Sequence, residues 1–528
     1  MFRLAVFCLS FTFCFFSAIA ANHNIAFLSK KNYTVNTSSI WGYTDTVKGR
    51  QYALVGTTDG TSIVDITQPA NPVQVAFVDG SNGSWRELKT YSHYAYVSQD
   101  NNGTSTSEGI LIIDLQYLPD SVKSYSFTGT SSPVTRIFKT HSLFVDEKGF
   151  LYLNGGICTV EGSSVNGTVM YDLKPNPVQP TYVGKQNARY VHDCYVRNDT
   201  LYEAEINNGT LSIYNIVNRS SPQKITQFST PFNFTHNAWL SDNGAYLFTT
   251  DERPSSPIGV YDIRNLSNIK ALPTVKMSPT ETSIPHNVHV WNDYLVVPHY
   301  TNGVAIFDAS VPDNVVMVGN YDTNNFTGST FNGVWGAYPY FSDSTLILSD
   351  IEGGLFVLKP SYRRAARLQG IVVDSISGLP LTAVNIRFTD TTITAKTAID
   401  GLFQTGIPRS GTFNVSVEKA GYISETLSLS LTSGQCDTIR VALRPVSTAL
   451  YPDQRNTDLQ FFIRDGHLQF DHAASVQTLT IFSASGAKIL ETGLPQTPLQ
   501  LPALAPGIYI IHAVLQNGTV QTTKVAVC

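Results

Sequence analysis

Residues 284–314 read IPHNVHVWNDYLVVPHYTNGVAIFDASVPDN, and this stretch contains the pattern that decides the fold. Two runs rich in β-branched residues, YLVVPH at 294–299 and VAIFD at 304–308, flank a turn that ends in Gly303. Short runs bounded by Asn, Asp and Gly predict two strands joined in a hairpin. Gly303 permits the positive φ that such a turn uses, and Asp308 is placed to cap the following loop through its side chain.

The same unit recurs along the first two thirds of the chain. The glycine that opens the second strand of each unit lies at Gly60, Gly109, Gly167, Gly209, Gly259, Gly303 and Gly353. An aspartate ends that strand in five units, at Asp65, Asp114, Asp172, Asp262 and Asp308. Units of about 40–50 residues built only of short strands are typical of β-propeller blades. The sequence therefore predicts an all-β chain with a seven-bladed β-propeller over residues 21–362.

Two of the units carry a specific resemblance. Residues 52–78 (YALVGTTDGTSIVDITQPANPVQVAFV) and 294–321 (YLVVPHYTNGVAIFDASVPDNVVMVGNY) resemble LVIVD repeats. The order and spacing of the whole region resemble the choice-of-anchor B family of secreted bacterial propellers. This resemblance implies a propeller followed by a variable attachment module, with no established catalytic chemistry.

An alignment of the units places one residue of each unit at an equivalent position near its first strand. These residues are Trp41, Trp85, His141, His192, His236, His286 and Trp335. The opposite ends of those strands carry Glu205, Asp251, Glu252 and His299. Because the innermost strands of a propeller line a central channel, equivalent side chains of different blades should converge there.

Three interpretations of the histidines stay open, one of which is acid–base chemistry by a histidine beside a carboxylate. Imidazoles from several blades and a carboxylate can bind zinc, copper or iron. The predicted ligands of such a divalent transition metal are His141, His192, His236, His286, His299 and Glu205. Alternatively, the histidines only hydrogen-bond within and between blades, which the tryptophans at the equivalent position favour. The sequence contains no nucleophile elbow, HExxH motif or phosphate loop, so no catalytic residue is assigned and a non-catalytic role is favoured over an enzyme.

The N-terminal residues 1–20 have the three parts of a secretory signal peptide. Arg3 supplies the positive charge, residues 4–16 form the apolar run, and residues 18–20 (AIA) form the cleavage site. The rest of the chain contains no other apolar run long enough to span a bilayer. Four of the six cysteines follow the signal peptide, at Cys158, Cys194, Cys436 and Cys528. The first two are expected to be either a disulfide or a pair of buried thiols.

Two smaller β-sandwich domains are expected after the propeller. Residues 368–445 resemble the carboxypeptidase regulatory-like, transthyretin-like domain in Gly370, Asp374, residues 378–381 (GLPL), residues 400–403 (DGLF) and Gly421-Tyr422. Residues 459–528 resemble the C-terminal sorting domain of the type IX secretion system of Bacteroidetes in IFSASGAKIL (481–490), LAPGIYII (504–511) and NGTVQTTKVAV (517–527). The first resemblance implies a spacer or adhesive module. The second implies transport across the outer membrane by the type IX secretion machinery and attachment to the cell surface or release.

Composition narrows the function classes. Of 528 residues, 42% are hydrophobic and 14% are charged, and the formal net charge is -5. This content is too apolar for a disordered chain, and no basic patch suggests nucleic acid binding. The expected function is a secreted, cell-surface binding or adhesion scaffold for a glycan or protein ligand. A metal-dependent enzyme with a histidine-lined site is the alternative, and a structural surface-layer role is a third.

Overall fold

The computed structural model of the chain describes residues 22–101, 109–446, 459, 461–464, 466–470 and 475–527. The predicted signal peptide, residues 447–458 between the two predicted sandwich domains, and Cys528 lie outside these residues. The described residues form strands and turns and contain no α-helix. They belong to two compact units, Met1–Val446 and Ser447–Cys528.

Seven four-stranded antiparallel sheets occupy the described residues from Ile25 to Pro360. Sheet 1 contains Thr37–Asp45, Arg50–Thr57, Gly60–Asp65 and Val73–Asp79; sheet 2 contains Leu88–Tyr91, Tyr94–Val97, Ile110–Asp114 and Lys123–Phe127; sheet 3 contains Ser142–Val145, Phe150–Asn154, Val169–Asp172 and Thr181–Lys185; sheet 4 contains Asp193–Arg197, Thr200–Glu205, Thr210–Asn215 and Gln223–Ser229. Sheet 5 contains Thr235–Leu240, Tyr246–Asp251, Gly259–Asp262 and Lys270–Ala271; sheet 6 contains His289–Trp291, Tyr294–Pro298, Val304–Asp308 and Val316–Tyr321; sheet 7 contains Val334–Tyr338, Leu346–Asp350, Gly354–Pro360 and, as its outermost strand, Ile25–Lys31.

Two small sheets accompany these seven. One pairs Gly83–Trp85 with Asp100–Asn101, and the other joins Thr135–Lys139, Ile157–Val160 and Ser163–Val165. The first strand of each small sheet lies between two successive main sheets in the sequence, and its other strands lie between the second and third strands of sheet 2 or of sheet 3.

Hydrophobic clusters join successive sheets. Leu54 of sheet 1 shares a cluster with Val97 of sheet 2, and further clusters connect the sheets that follow. Val55 of sheet 1 also packs with Val357 of sheet 7, so the last sheet packs against the first. The strand Ile25–Lys31 pairs with Gly354–Pro360 and fastens the start of the chain to this sheet. The arrangement fits a β-propeller-like fold, which leaves few exposed strand edges.

The predicted aspartate caps are confirmed. The backbone N–H two residues after each aspartate donates to its side chain: Thr67 to Asp65, Gln116 to Asp114, Lys174 to Asp172, Arg264 to Asp262 and Ser310 to Asp308. These bonds are 2.9–3.1 Å long. They fix the loop between the third and fourth strands of the sheet.

The prediction for the turn glycines is correct only in part. Gly303 has a φ of +74°, but Gly60 does not adopt a left-handed conformation. A Cβ atom at Gly60 would lie 2.4 Å from the carbonyl oxygen of Val78. Glycine is therefore required at this position by the close approach of the neighbouring strand.

Residues 366–443 form two further sheets with a common core. Ala366–Asp374 pairs with Leu402–Ile407 and, in parallel, with Cys436–Leu443; the other sheet contains Thr394–Lys396, Asn385–Phe388, Gly411–Glu418 and Glu425–Leu431. Val372 and Phe403 of the first sheet pack against Phe388 and Val415 of the second. The packing of two sheets face to face is that of a small β-sandwich.

Buried polar contacts fix this sandwich to sheet 6. Arg367 is only 3% exposed, and its Nη1 lies 3.1 Å from Oδ2 of Asp308. Arg364 donates to Oδ1 of the same carboxylate at 2.8 Å. Asn314 donates to the carbonyl oxygen of Thr405 at 3.1 Å. The aspartate that caps the loop of sheet 6 therefore also holds the junction between the two parts of this unit.

The second unit contains seven strands in its described residues. One sheet contains Phe461–Arg464, His467–Phe470 and Leu499–Gln500, and the other contains Lys488–Gly493, Val476–Ser483, Gly507–Leu515 and Val520–Val527. Leu468, Ile481, Ile511 and Val525 belong to its core.

The two cysteines for which a disulfide was one alternative are buried free thiols. Cys158 belongs to the cluster of sheets 2 and 3, whereas Cys194 belongs to the cluster of sheets 3, 4 and 5. Asn154 donates a hydrogen bond to Sγ of Cys194 at 3.2 Å. The second alternative, a pair of buried thiols, is therefore the one that the structure shows.

Candidate ligand site at the histidine ring

Four histidines stand at the start of the innermost strands of four consecutive sheets. His141 and His192 directly precede the first strands of sheets 3 and 4, His236 is the second residue of the first strand of sheet 5, and His286 precedes that of sheet 6. The backbone N–H groups of His141, His192 and His286 donate to carbonyl oxygens at the ends of the second strands of their sheets. The equivalent positions predicted for the four histidines are confirmed.

The side chains of these histidines contact one another in sequence. The ring centroids of His141 and His192 are 4.5 Å apart, those of His192 and His236 4.3 Å, and those of His236 and His286 4.5 Å. His286 then contacts Trp335 at 4.3 Å, and Trp335 stacks on Trp85 at 5.8 Å.

These six side chains form a series, which we call the histidine ring, and Asp100 connects its two ends. Trp85 is the strand partner of Asp100, and Oδ2 of Asp100 lies 2.8 Å from Nδ1 of His141. Residues from six of the seven sheets, or from the segments directly before them, thus meet at one end of the innermost strands.

Trp41 was predicted at the equivalent position, and this prediction is wrong. Its indole contacts Tyr338 at 4.9 Å and His289 at 6.3 Å, and Nζ of Lys89 lies 4.3 Å from its ring centroid. Thr37 faces Thr57 as Thr235 of sheet 5 faces Asp251, so the residue equivalent to His236 is Ser38 and not Trp41. Trp41 consequently faces Leu54 and takes the place that Trp239 has in sheet 5, opposite Phe248.

Glu252 lies between two of the histidines. It follows the second strand of sheet 5, and its Oε2 is 3.5 Å from Nε2 of His236. Its Oε1 is 3.8 Å from Nε2 of His286 and accepts a hydrogen bond from the hydroxyl group of Tyr300 at 2.6 Å. His236, Glu252 and His286 each offer one ligand atom, and these atoms lie within 4.8 Å of one another.

Four of the six predicted ligands lie outside this group: His141 and His192 belong to the ring, whereas Glu205 and His299 do not. Glu205 is buried and accepts hydrogen bonds from Thr210 at 2.6 Å and Ser212 at 2.7 Å, so its carboxylate is engaged by the next strand of its own sheet. Nδ1 of His299 lies 3.4 Å from Oγ of Ser283. Burial lowers the pKa of His299 to about 4, although nearby Glu281 opposes this effect.

The sequence showed Glu252 at a strand end but gave no reason to prefer it over Glu205. Tyr300 was missed altogether. One signal was available in the sequence. Glu252 and Tyr300 each lie at or just after the end of the second strand of a sheet. In an antiparallel pair, that end lies beside the start of the first strand, where the histidines are.

The histidines of the ring differ in their electrostatic surroundings. Burial, together with the neighbouring histidines, lowers the pKa of His192 and His286 well below 6.5, so both are neutral at neutral pH. Nδ1 of His192, His236 and His286 is buried and makes no hydrogen bond of standard geometry within the described residues. Burial raises the pKa of Asp100, but His141 and Lys139 outweigh this effect and leave that pKa lowered.

A cleft of about 800 Å³ lies elsewhere, between the sandwich and the loops of sheets 5 and 6. Val275, Asn314, Phe403 and Arg440 are among the residues that line it. None of the residues of the histidine ring contributes to this cleft. Its charged side chains are exposed and make no common cluster, so we take the histidine ring as the candidate site.

Comparison with known proteins supports the repeat assignment. Residues 285–323 match the family model of the LVIVD repeat, so the predicted resemblance is confirmed at this unit. The matched segment contains His286, Tyr300 and the whole of sheet 6. No protein with a curated description matches the chain. Among the described residues, no helix has the length and hydrophobicity needed to cross a membrane.

Proposed function

We propose that the chain is an exported seven-bladed β-propeller of the LVIVD type that binds a glycan at the histidine ring. Residues 1–20 are then a signal peptide, 21–362 the propeller, 368–445 a carboxypeptidase regulatory-like spacer and 459–528 a sorting domain for type IX secretion. In this proposal the protein acts as a binding scaffold at the outer-membrane cell surface or after release. The seven four-stranded sheets and the match to the LVIVD repeat support the propeller assignment.

The observation that carries the binding role is the convergence of aromatic and imidazole side chains from separate sheets at one end. Indole faces offer stacking surfaces, and imidazole, carboxylate and phenol groups offer hydrogen bonds. Phe331 extends this surface toward solvent, since it is 54% exposed and packs edge-on against Tyr300 at 5.3 Å. Flat apolar faces beside convergent polar groups suit sugar rings, which present both kinds of surface.

Binding is tested with the full chain on an array of surface glycans, followed by titration of the glycan that binds best. Phe331→Ala should weaken binding about tenfold, because a stacked aromatic ring contributes about 1.4 kcal/mol. Phe77→Ala is the matched control, since Phe77 is 38% exposed on the outermost strand of sheet 1. The proposal fails if no glycan binds the wild-type chain, or if both variants lose affinity equally.

A metal-dependent enzyme is the second candidate, and the proximity of His236, Glu252 and His286 favours it. Two imidazoles and a carboxylate can hold an ion that activates water. The two candidates differ in the fate of the ligand. A scaffold releases the glycan unchanged after prolonged incubation, whereas an enzyme yields a product of different mass.

A further inference from the structure

We propose that His236, Glu252 and His286 bind one divalent transition-metal ion and that Tyr300 positions the Glu252 carboxylate. This inference rests on the proposed function in one respect: it places a cofactor at the same end of the innermost strands. It adds a specific ligand set, which differs from the set that the sequence predicts.

The distances fit a metal site better than a hydrogen-bonded cluster. Glu252 lies 3.5 Å from Nε2 of His236 and 3.8 Å from Nε2 of His286, and both separations exceed those of normal hydrogen bonds. Around a tetrahedral zinc ion with bonds of about 2.0–2.1 Å, two ligand atoms are about 3.3 Å apart. The two separations of the carboxylate from the imidazoles are thus close to those around a central ion, and all three ligand atoms lie within 4.8 Å of one another.

The charged groups around Glu252 also favour a metal ion at this place. Within the described residues, the ion pairs of Glu252 are those with the imidazoles of His236 and His286, and neither a lysine nor an arginine pairs with it. The third contact of Glu252 is the uncharged hydroxyl group of Tyr300. The Glu252 side chain is 16% exposed, so its carboxylate has limited access to water and no lysine or arginine partner. A divalent ion would supply that charge.

Tyr300 acts as a positioning residue. Its side chain is 1% exposed, and its hydroxyl group donates to Oε1 of Glu252 at 2.6 Å. Its ring also contacts His286, with centroids 5.6 Å apart. A partner of this kind fixes the direction of a carboxylate ligand and typically changes metal affinity by about 10- to 100-fold when it is removed.

The set of two histidines and one glutamate leaves a coordination position free. This is the ligand set of catalytic zinc sites and of some iron sites, and it differs from the closed four-ligand sites that only stabilise a fold. A free position would allow hydroxyl oxygens of a sugar ligand, or water, to bind the ion directly.

Zinc chloride titrated into the full chain, purified without a histidine tag and stripped with chelator, is the first test. We expect one zinc ion per chain by calorimetry and elemental analysis. Glu252→Gln retains the hydrogen bond from Tyr300 but loses the charge, and should weaken zinc binding at least 100-fold. Tyr300→Phe should weaken it about tenfold. His93→Gln is the control and should bind zinc as the wild type does, since His93 lies beside Asp114 in sheet 2.

Cobalt(II) serves as a second measurement that needs no variant. Visible absorption bands of a four- or five-coordinate cobalt ion are expected on loading the wild-type chain. Absence of zinc binding and of these bands, or zinc binding that Glu252→Gln leaves unchanged, would overturn the inference. Glycan binding that persists in chelator would then leave the proposed scaffold standing, so the two failures are distinguishable.

Discussion

Glu203 gives the protein a pH-dependent stability that its sequence does not reveal. It lies in the second strand of sheet 4 and is fully buried. Its carboxyl group accepts hydrogen bonds from Thr168 at 2.6 Å and from Gln186. Burial raises the pKa of Glu203 from 4.5 to about 7, and the nearby charge of Glu205 adds to this effect, while the two hydrogen bonds oppose it.

The sign and size of the effect follow from this shift. Between pH 4.5 and about pH 7 the folded chain keeps a proton that the unfolded chain releases, so stability falls as the pH rises. A shift of this size corresponds to about 3 kcal/mol, since one pKa unit is about 1.4 kcal/mol. Glu203→Gln cannot ionise. Relative to the wild type, this variant should therefore gain about 3 kcal/mol between pH 4.5 and pH 8.

Urea denaturation followed by tryptophan fluorescence at pH 4.5, 6 and 8 measures this difference. All five tryptophans lie between Trp41 and Trp335, so the signal reports on the sheets around Glu203 rather than on the second unit. Glu147→Gln, at an exposed position of sheet 3, is the matched control and should track the wild type. If the difference between Glu203→Gln and the wild type is the same at all three pH values, Glu203 does not retain its proton and the reasoning is wrong.

The junction and the turns give two further predictions, both measured by the same urea titration. Asp308→Asn should lower the free energy of unfolding by about 3 kcal/mol, because it leaves Arg367 buried without its ion pair. Asp262→Asn removes the same kind of cap beside an exposed arginine and should lower it by less. Equal losses of stability in the two variants would contradict the role of the junction. Gly303→Ala should destabilise the chain about 2 kcal/mol more than Gly328→Ala. Both glycines have positive φ, but only at Gly303 would a Cβ atom lie 2.0 Å from the carbonyl oxygen of Tyr321. Equal losses of stability in the two variants would show that φ alone matters.

The strands of the repeated unit are predictable because their determinants are local. In sheet 6, β-branched runs on either side of a glycine turn define the second and third strands, and both are buried throughout. The cap at Asp308 also depends only on residues two positions apart. Each repeat glycine lies at the start of the third strand of a four-stranded sheet or one or two residues before it, so a pattern of a few residues locates the centre of each sheet.

The site is less predictable because its determinants are not local. Strand pairing makes Ser38, and not Trp41, the residue equivalent to His236, and the residue types of that segment do not show this. Glu252 and Tyr300 meet only because sheets 5 and 6 are neighbours, although 47 residues separate these two side chains in the sequence. Glu205 occupies a similar strand end in sheet 4, but two hydroxyl groups of its own sheet engage its carboxylate. Equivalent positions in the repeat thus have different chemistry.

The two carboxylates of the ring indicate which part of it is available to a ligand. Asp100 accepts hydrogen bonds from Lys139 at 3.1 Å and from His141 at 2.8 Å, so its charge is compensated and it connects Trp85 to the histidines. Glu252 has no such lysine, and its hydroxyl partner Tyr300 also supports the exposed ring of Phe331. The side of sheets 2 and 3 therefore closes the ring. The side of sheets 5 and 6 instead combines a carboxylate that has no lysine or arginine partner with an exposed aromatic face. A metal ion and a stacked sugar would occupy this same side, so zinc should change glycan affinity if both proposals hold.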